Sequence, residues 1–208
     1  MSGDQSVKNE IERLLKLPGE VRGQVFLTDF EYVRDKGGEE FKSLLKNKIK
    51  EWGVSLDYEE IKATEWYPLG LRVVSLLAIK DALSWGDKEI FELGNSAPKY
   101  SFIVKLLMKY FLSSQRTFKE SPKYWEKHYT RGEIEPYEYS KEKKHFIIRL
   151  KNFKIHPILC VYFAGYFLRI GQYVQRNKEG SGRETRTIKE TKCVFKGDHY
   201  DEFVIKWE

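Results

Sequence analysis

The chain has 208 residues, of which 41% are hydrophobic and 15% aromatic, enough to build a core and too apolar for disorder; 33% are charged and solvate the surface. With 37 Lys and Arg against 31 Asp and Glu the net charge is +6, a moderate excess that attracts phosphates without the density of a dedicated nucleic-acid binder. The start lacks the apolar stretch of an export signal, the longest apolar runs (71–79 and 157–168) are too short to span a bilayer, and two cysteines make no disulfide framework.

A reducing cytoplasm is therefore expected, with a single Cys160–Cys193 bridge left open. Abundant Lys and Glu with few Cys and Met is also a composition of heat-adapted proteins. One domain spans 1–208, with a partly frayed segment at 1–17, a helical part at 18–131 and a strand-strand-helix-strand-strand part at 132–208.

In chain order, Ile11, Leu14, Leu15 and Leu17 form a short amphipathic segment that Pro18-Gly19 ends. Residues 21–27 read as extended. Thr28 and Glu31 have capping-box spacing, so a helix is predicted to start there and to break at Gly37-Gly38. A second helix carries Phe41, Leu44, Leu45, Ile49 and Trp52 on one face. Pro68 suits the first turn of a largely buried helix with Leu69, Val73, Leu76 and Leu77. Asp87 caps a short helix that Gly94-Asn95 stops. Pro98 opens another with Phe102, Ile103, Leu106, Leu107, Tyr110 and Phe111, and Ser121-Pro122 begins an aromatic one with Tyr124, Trp125, His128 and Tyr129.

After Gly132 the period changes. Two strands flank a charged turn at 141–144, His156-Pro157 opens a helix through about Tyr173, residues 175–182 form a loop, and 183–194 and 203–207 supply two more strands. The fold class is α+β: about six helices packed on an antiparallel ββαββ unit.

The landmarks Phe30-Glu31-Tyr32-Val33-Arg34-Asp35-Lys36-Gly37-Gly38, Trp66-Tyr67-Pro68-Leu69, Leu93-Gly94, Pro122-Lys123-Tyr124-Trp125, His156-Pro157 and Cys193 with Gly197-Asp198 and Glu202-Phe203 resemble an uncharacterised family expanded in myxobacteria. That family is distantly similar to 4-vinyl reductase-like domains and to the ligand-binding domains of nitric-oxide signalling and Golgi transport. The resemblance covers roughly 18–207 and implies a pocket for an apolar or planar ligand between helices and sheet. The vinyl-reductase-like sensors use several cysteines for zinc near the last hairpin, whereas here Asp201 stands in place of one, so zinc is not expected. Haem sensors pair a helical histidine with Tyr-x-Ser-x-Arg; His128 is expected to be helical, but Tyr137-Glu138-Tyr139-Ser140-Lys141 lacks the serine and arginine in register, so haem is not expected either.

Ligand pockets are mostly apolar with a few orienting polar groups, which makes Trp66, Tyr67, Tyr110, Phe111, Trp125 and Tyr129 the candidate ligand-binding residues. Cys193, Asp198, His199 and Asp201 form one local cluster able to hold a metal or a reactive thiol, against a simple turn at Gly197-Asp198. No Ser-His-Asp pattern, phosphate loop or carboxylate pair is visible, and a non-enzyme is expected. The functional expectation is a sensory or accessory domain that binds a small apolar molecule and acts through a homodimer or a partner protein. The alternative is an interaction module for protein or nucleic acid that uses the basic hairpin Lys141, Lys143, Lys144, Arg149, Lys151 and Lys154.

Overall fold

The structure, a computed structural model, describes residues 2–101, 114–176 and 186–208. In chain order its elements are α1 (Ser2–Leu15), β1 (Glu20–Arg22), α2 (Gln24–Glu51), β2 (Trp66–Pro68), α3 (Leu69–Ala82), α4 (Asp87–Tyr100), α5 (Ser114–Glu126), β3 (Glu133–Ser140), β4 (His145–Lys151), α6 (Pro157–Arg176), β5 (Arg186–Lys192) and β6 (Tyr200–Trp207). Strands β1 and β2 make a small antiparallel ribbon, and the other four form an antiparallel sheet in the order β3-β4-β6-β5. This is the expected α+β arrangement, with the ββαββ unit in place.

The helical part departs from expectation where a local signal lost to packing. Helix α1 already runs from Ser2, because Ile11 and Leu14 are buried and the Leu14 backbone lies on Gly70 of α3, where an added Cβ would sit 1.8 Å from the Leu14 carbonyl. Thr28 caps nothing: α2 starts at Gln24, and the buried Thr28 hydroxyl donates back to the Val25 carbonyl at 2.9 Å. The break at Gly38 is present as a kink with φ 60° and ψ −146°, a region open to glycine. Trp66, Tyr67 and Pro68 form β2, so the proline lies just before α3 instead of inside its first turn.

Gly94 does not stop α4, which continues through Pro98 to Tyr100. Its role is close approach. An added Cβ there would lie 2.0 Å from the Tyr162 carbonyl on α6, and one on Gly165 of α6 would lie 2.0 Å from the Phe91 carbonyl. Pro122 likewise sits inside α5. The helix expected from Pro98 through Phe111 falls mostly on residues 102–113, outside the described residues, as does much of the loop at 175–182.

Helix α3 is apolar around most of its surface and correspondingly buried. Its fully buried Arg72 guanidinium therefore needs a counter-charge, and Asp29 of α2, equally buried, accepts a hydrogen bond from it. The Tyr162 hydroxyl of α6 donates to the same carboxylate at 3.0 Å, so one ion pair ties α2, α3 and α6 together. Burial pushes the Asp29 carboxyl up, and Arg72 and Tyr162 pull it back.

Candidate functional site: an apolar cavity between two helices and the sheet

Helix α5 places Thr117, Phe118, Ser121, Tyr124 and Trp125 on one face, spaced by one, three or four residues as a helix stripe requires. Helix α6 places Tyr162, Phe163, Tyr166, Phe167, Ile170 and Gly171 on another. Ile134 of β3 with Phe146 and Ile148 of β4 supply the sheet side, and Gln24, Val25 and Thr28 of α2 with Ala97 of α4 complete the wall. These faces line a mostly apolar cavity of about 130 Å³. Two of the wall hydroxyls, those of Thr28 and Ser121, donate to the backbone carbonyls of Val25 and Phe118.

Trp125 is held by both its indole N–H and its ring. Its indole N–H donates to the Arg131 and Gly132 carbonyls at 2.9 and 3.0 Å, and its ring stacks on Tyr129 at 4.4 Å and meets Phe153 and Phe163 edge-on at 5.2 Å. The backbone beyond α5 is fixed by β1, through Arg22 N–H to the His128 carbonyl and Thr130 N–H to the Glu20 carbonyl.

That fixed segment carries His128 onto the cavity wall. Its Nδ1 lies 3.0 Å from the Tyr124 carbonyl, which only accepts, so Nδ1 carries the proton and Nε2 keeps its lone pair. Burial holds the His128 pKa below its ordinary value, with Arg22 and Lys127 adding to the effect, so the ring is neutral. Arg186, the one Lys or Arg among the described lining residues, lays its guanidinium over the Trp207 ring at 5.0 Å.

Of the sequence candidates, Trp125 and Tyr129 line this cavity, and Tyr110 and Phe111 lie outside the described residues. Trp66 and Tyr67 are placed elsewhere. Trp66 carries the Arg22 guanidinium 3.8 Å above its ring, and the Tyr67 hydroxyl accepts the Lys62 N–H at 2.9 Å while its ring packs on Phe26. The α6 stripe was missed as a site, and His128 was set aside together with haem. Paired apolar positions at 162/163, 166/167 and 170/171 were the available signal, and they read equally well as core.

Half of the basic hairpin's six cations face carboxylates. Arg149 donates to Glu202 at 2.8 Å and lies between the Tyr137 and Tyr200 rings, Lys151 pairs with Glu135 at 2.8 Å, and Lys143 lies 3.6 Å from Glu138. Lys141 and Lys144 sit in the exposed turn, and Lys154 reaches the Phe195 ring at 6.0 Å.

The Cys193 cluster is composed differently from the sequence expectation. Asp198 turns its carboxylate to the Cys193 backbone N–H at 2.8 Å, and His199 is exposed. The fold brings Cys160 of α6 and Glu190 of β5 to Cys193 and Asp201 instead, with one ligand atom from each within 4.8 Å of all the others. Both cysteines are free thiols. Among the described residues no helix is long and apolar enough to cross a membrane.

No family model and no curated protein matches this sequence. Solved structures do match in fold. An H-NOX protein from S. oneidensis in the Fe(II)NO ligation state aligns with a TM-score of 0.67 at 11% identity, over 90% of this chain and 99% of that one. An oxygen-binding H-NOX domain related to soluble guanylate cyclases, in its oxygen complex, aligns at 0.61 and 11% identity over 90% and 95%. The Fe(II) unliganded H-NOX protein from K. algicida aligns at 0.59 and 12% identity over 90% and 96%. The chain therefore has an H-NOX-like fold.

This finding corrects the expectation that haem has no place here. That expectation rested on a missing motif, and Tyr137 and Tyr139, on which it turned, do not line the cavity. Tyr137 stacks on Arg149 and Tyr139 packs on Phe118 and Trp207. The donor chemistry would suit a haem iron, since a histidine whose Nδ1–H is held by a carbonyl keeps the Nε2 lone pair for a metal. The volume of about 130 Å³ is below the roughly 300–1,000 Å³ of drug-sized ligand sites, so a porphyrin requires the walls to part.

Proposed function

We propose that this chain is a small-molecule-binding sensory domain whose ligand is a compact, largely apolar molecule held between α5, α6 and the sheet. The observation that carries the reading is the cavity itself: mostly apolar, walled by aromatic rings, with a neutral imidazole and a guanidinium among its polar groups. A dry apolar cavity of about 150 Å³ holds a benzene-sized molecule, which sets the scale of ligand for the roughly 130 Å³ here. Burying about 200 Å² of a single ring at about 25 cal/mol per Å² contributes about 5 kcal/mol before the cost of association is subtracted. A polar substituent that meets Arg186 or His128 would tighten binding.

His128 favours a second reading, in which the ligand is haem and Nε2 of His128 holds the iron, supplying a site for a diatomic gas. The chain's own part would be to keep the imidazole neutral, fix its tautomer through Tyr124 and shield the face with Trp125 and Phe163. In either reading the signal passes to a second copy or a partner protein, the chain is a binding domain and not an enzyme, and it works in a reducing cytoplasm. The narrower likeness to the myxobacterial and 4-vinyl reductase-like families rests on the quoted motifs alone.

The test is an NMR titration with indole alongside an absorption titration with hemin. Saturable shifts confined to residues of α5, α6 and β4 are expected with indole. A Soret band that moves in His128→Ala would select the haem reading. Neither probe binding saturably would sink both.

A further inference from the structure

Outside the cavity, the first turn of α6 and the β5–β6 hairpin bury four acidic ligand groups against one another. Cys160, Cys193 and Asp201 are 8%, 6% and 1% exposed, and Glu190, half-buried on β5, has its Oε1 enclosed without a hydrogen-bond partner. One atom from each of the four lies within 4.8 Å of the rest. We propose that Cys160, Glu190, Cys193 and Asp201 form a zinc-binding site that clamps the start of α6 to the edge of the sheet. The assignment is independent of what the cavity binds.

The donor set fits zinc better than its rivals. Two thiolates and two carboxylates make a four-coordinate set of the kind zinc accepts, whereas calcium and magnesium require six or more oxygens and copper(I) prefers sulfur throughout. Zinc bonds of about 2.0–2.3 Å place tetrahedral ligands about 3.3–3.8 Å apart, so ligand atoms within 4.8 Å of one another close with a contraction of at most about 1–1.5 Å. The surroundings already orient the donors. The Val194 N–H donates to Asp201 Oδ1 at 2.8 Å, leaving Oδ2 to a metal, and the Cys193 N–H is held by Asp198 at 2.8 Å.

Zinc binds thiolates, so the thiol protons must leave. A bound dication replaces those protons: zinc enters, the two S–H protons and any on the carboxyls leave to solvent, and no redox change is involved. Zinc affinity is accordingly expected to rise with pH.

The experiment uses the full chain, reduced, stripped with a chelator and reloaded with Zn²⁺ or Co²⁺ alone. One zinc per chain by native mass spectrometry is expected, together with a thiolate-to-cobalt charge-transfer band, tetrahedral d–d bands and a raised melting temperature with zinc. Cys193→Ser should weaken binding at least tenfold. Glu190→Gln, at a half-buried site that need not disturb folding, should also weaken it with the circular dichroism unchanged, and His199→Ala should leave it unaltered. Absence of the charge-transfer band in the folded chain would overturn the proposal, as would equal metal affinity in Glu190→Gln and the parent.

Discussion

Arg72 and Asp29 show how much one buried pair decides. Both side chains are fully enclosed, and Tyr162, which lines the cavity, donates to the same carboxylate. Asp29→Asn leaves a guanidinium without its counter-charge and is expected to cost about 3–5 kcal/mol in urea unfolding. Asp29→Leu with Arg72→Met removes both charges and should recover most of that loss, because the pair's attraction and its desolvation nearly cancel. A double variant as unstable as the single one would contradict this account. The need for a partner at Arg72 follows from its place in a helix buried all round; its identity, 43 positions upstream on α2, does not. At the same scale, residue type separated Trp125 from Trp66 poorly, since an indole stacked under Arg22 and one lining a cavity are alike in sequence.

At the scale of elements, the ββαββ unit was legible because alternation in β4 and the paired stripe of α6 are long and strongly periodic. The helix limits were not, and the reason is common to them. Thr28, Gly94 and Pro122 each carry a local stop or start signal that tertiary packing overrode. Gly94 and Gly165 let α4 and α6 approach backbone to backbone, and Arg169 of α6 then donates to the Asn95 carbonyl at 2.9 Å. Gly94→Ala forces a methyl against the Tyr162 carbonyl, so a loss of about 1–3 kcal/mol is expected, measured by thermal or urea unfolding. No loss would mean the two helices are free to separate. Cys160 and Cys193 stand 33 positions apart, and only the seating of α6 on β5 and β6 brings them together.

For the whole molecule, a cavity lies between helices and sheet, where a pocket was expected, and Trp125 and Tyr129 are the two sequence candidates that line it. The ligand's size was not legible, because volume depends on how α5 and α6 seat against β4 and not on which aromatics they carry. Occupancy has a physical route outward. Tyr162 joins the cavity to the ion pair on α2 and α3, and the α4–α6 crossing joins it to α4. The central claim is that this cavity holds a molecule, and native mass spectrometry of the purified chain before and after organic extraction tests it most directly. The account predicts one small adduct per chain, or one after indole or hemin is added, that is lost on extraction and absent from Phe163→Trp, where the larger ring fills the space. A chain that never gains mass from either probe, or a Phe163→Trp variant that retains the adduct, would contradict it.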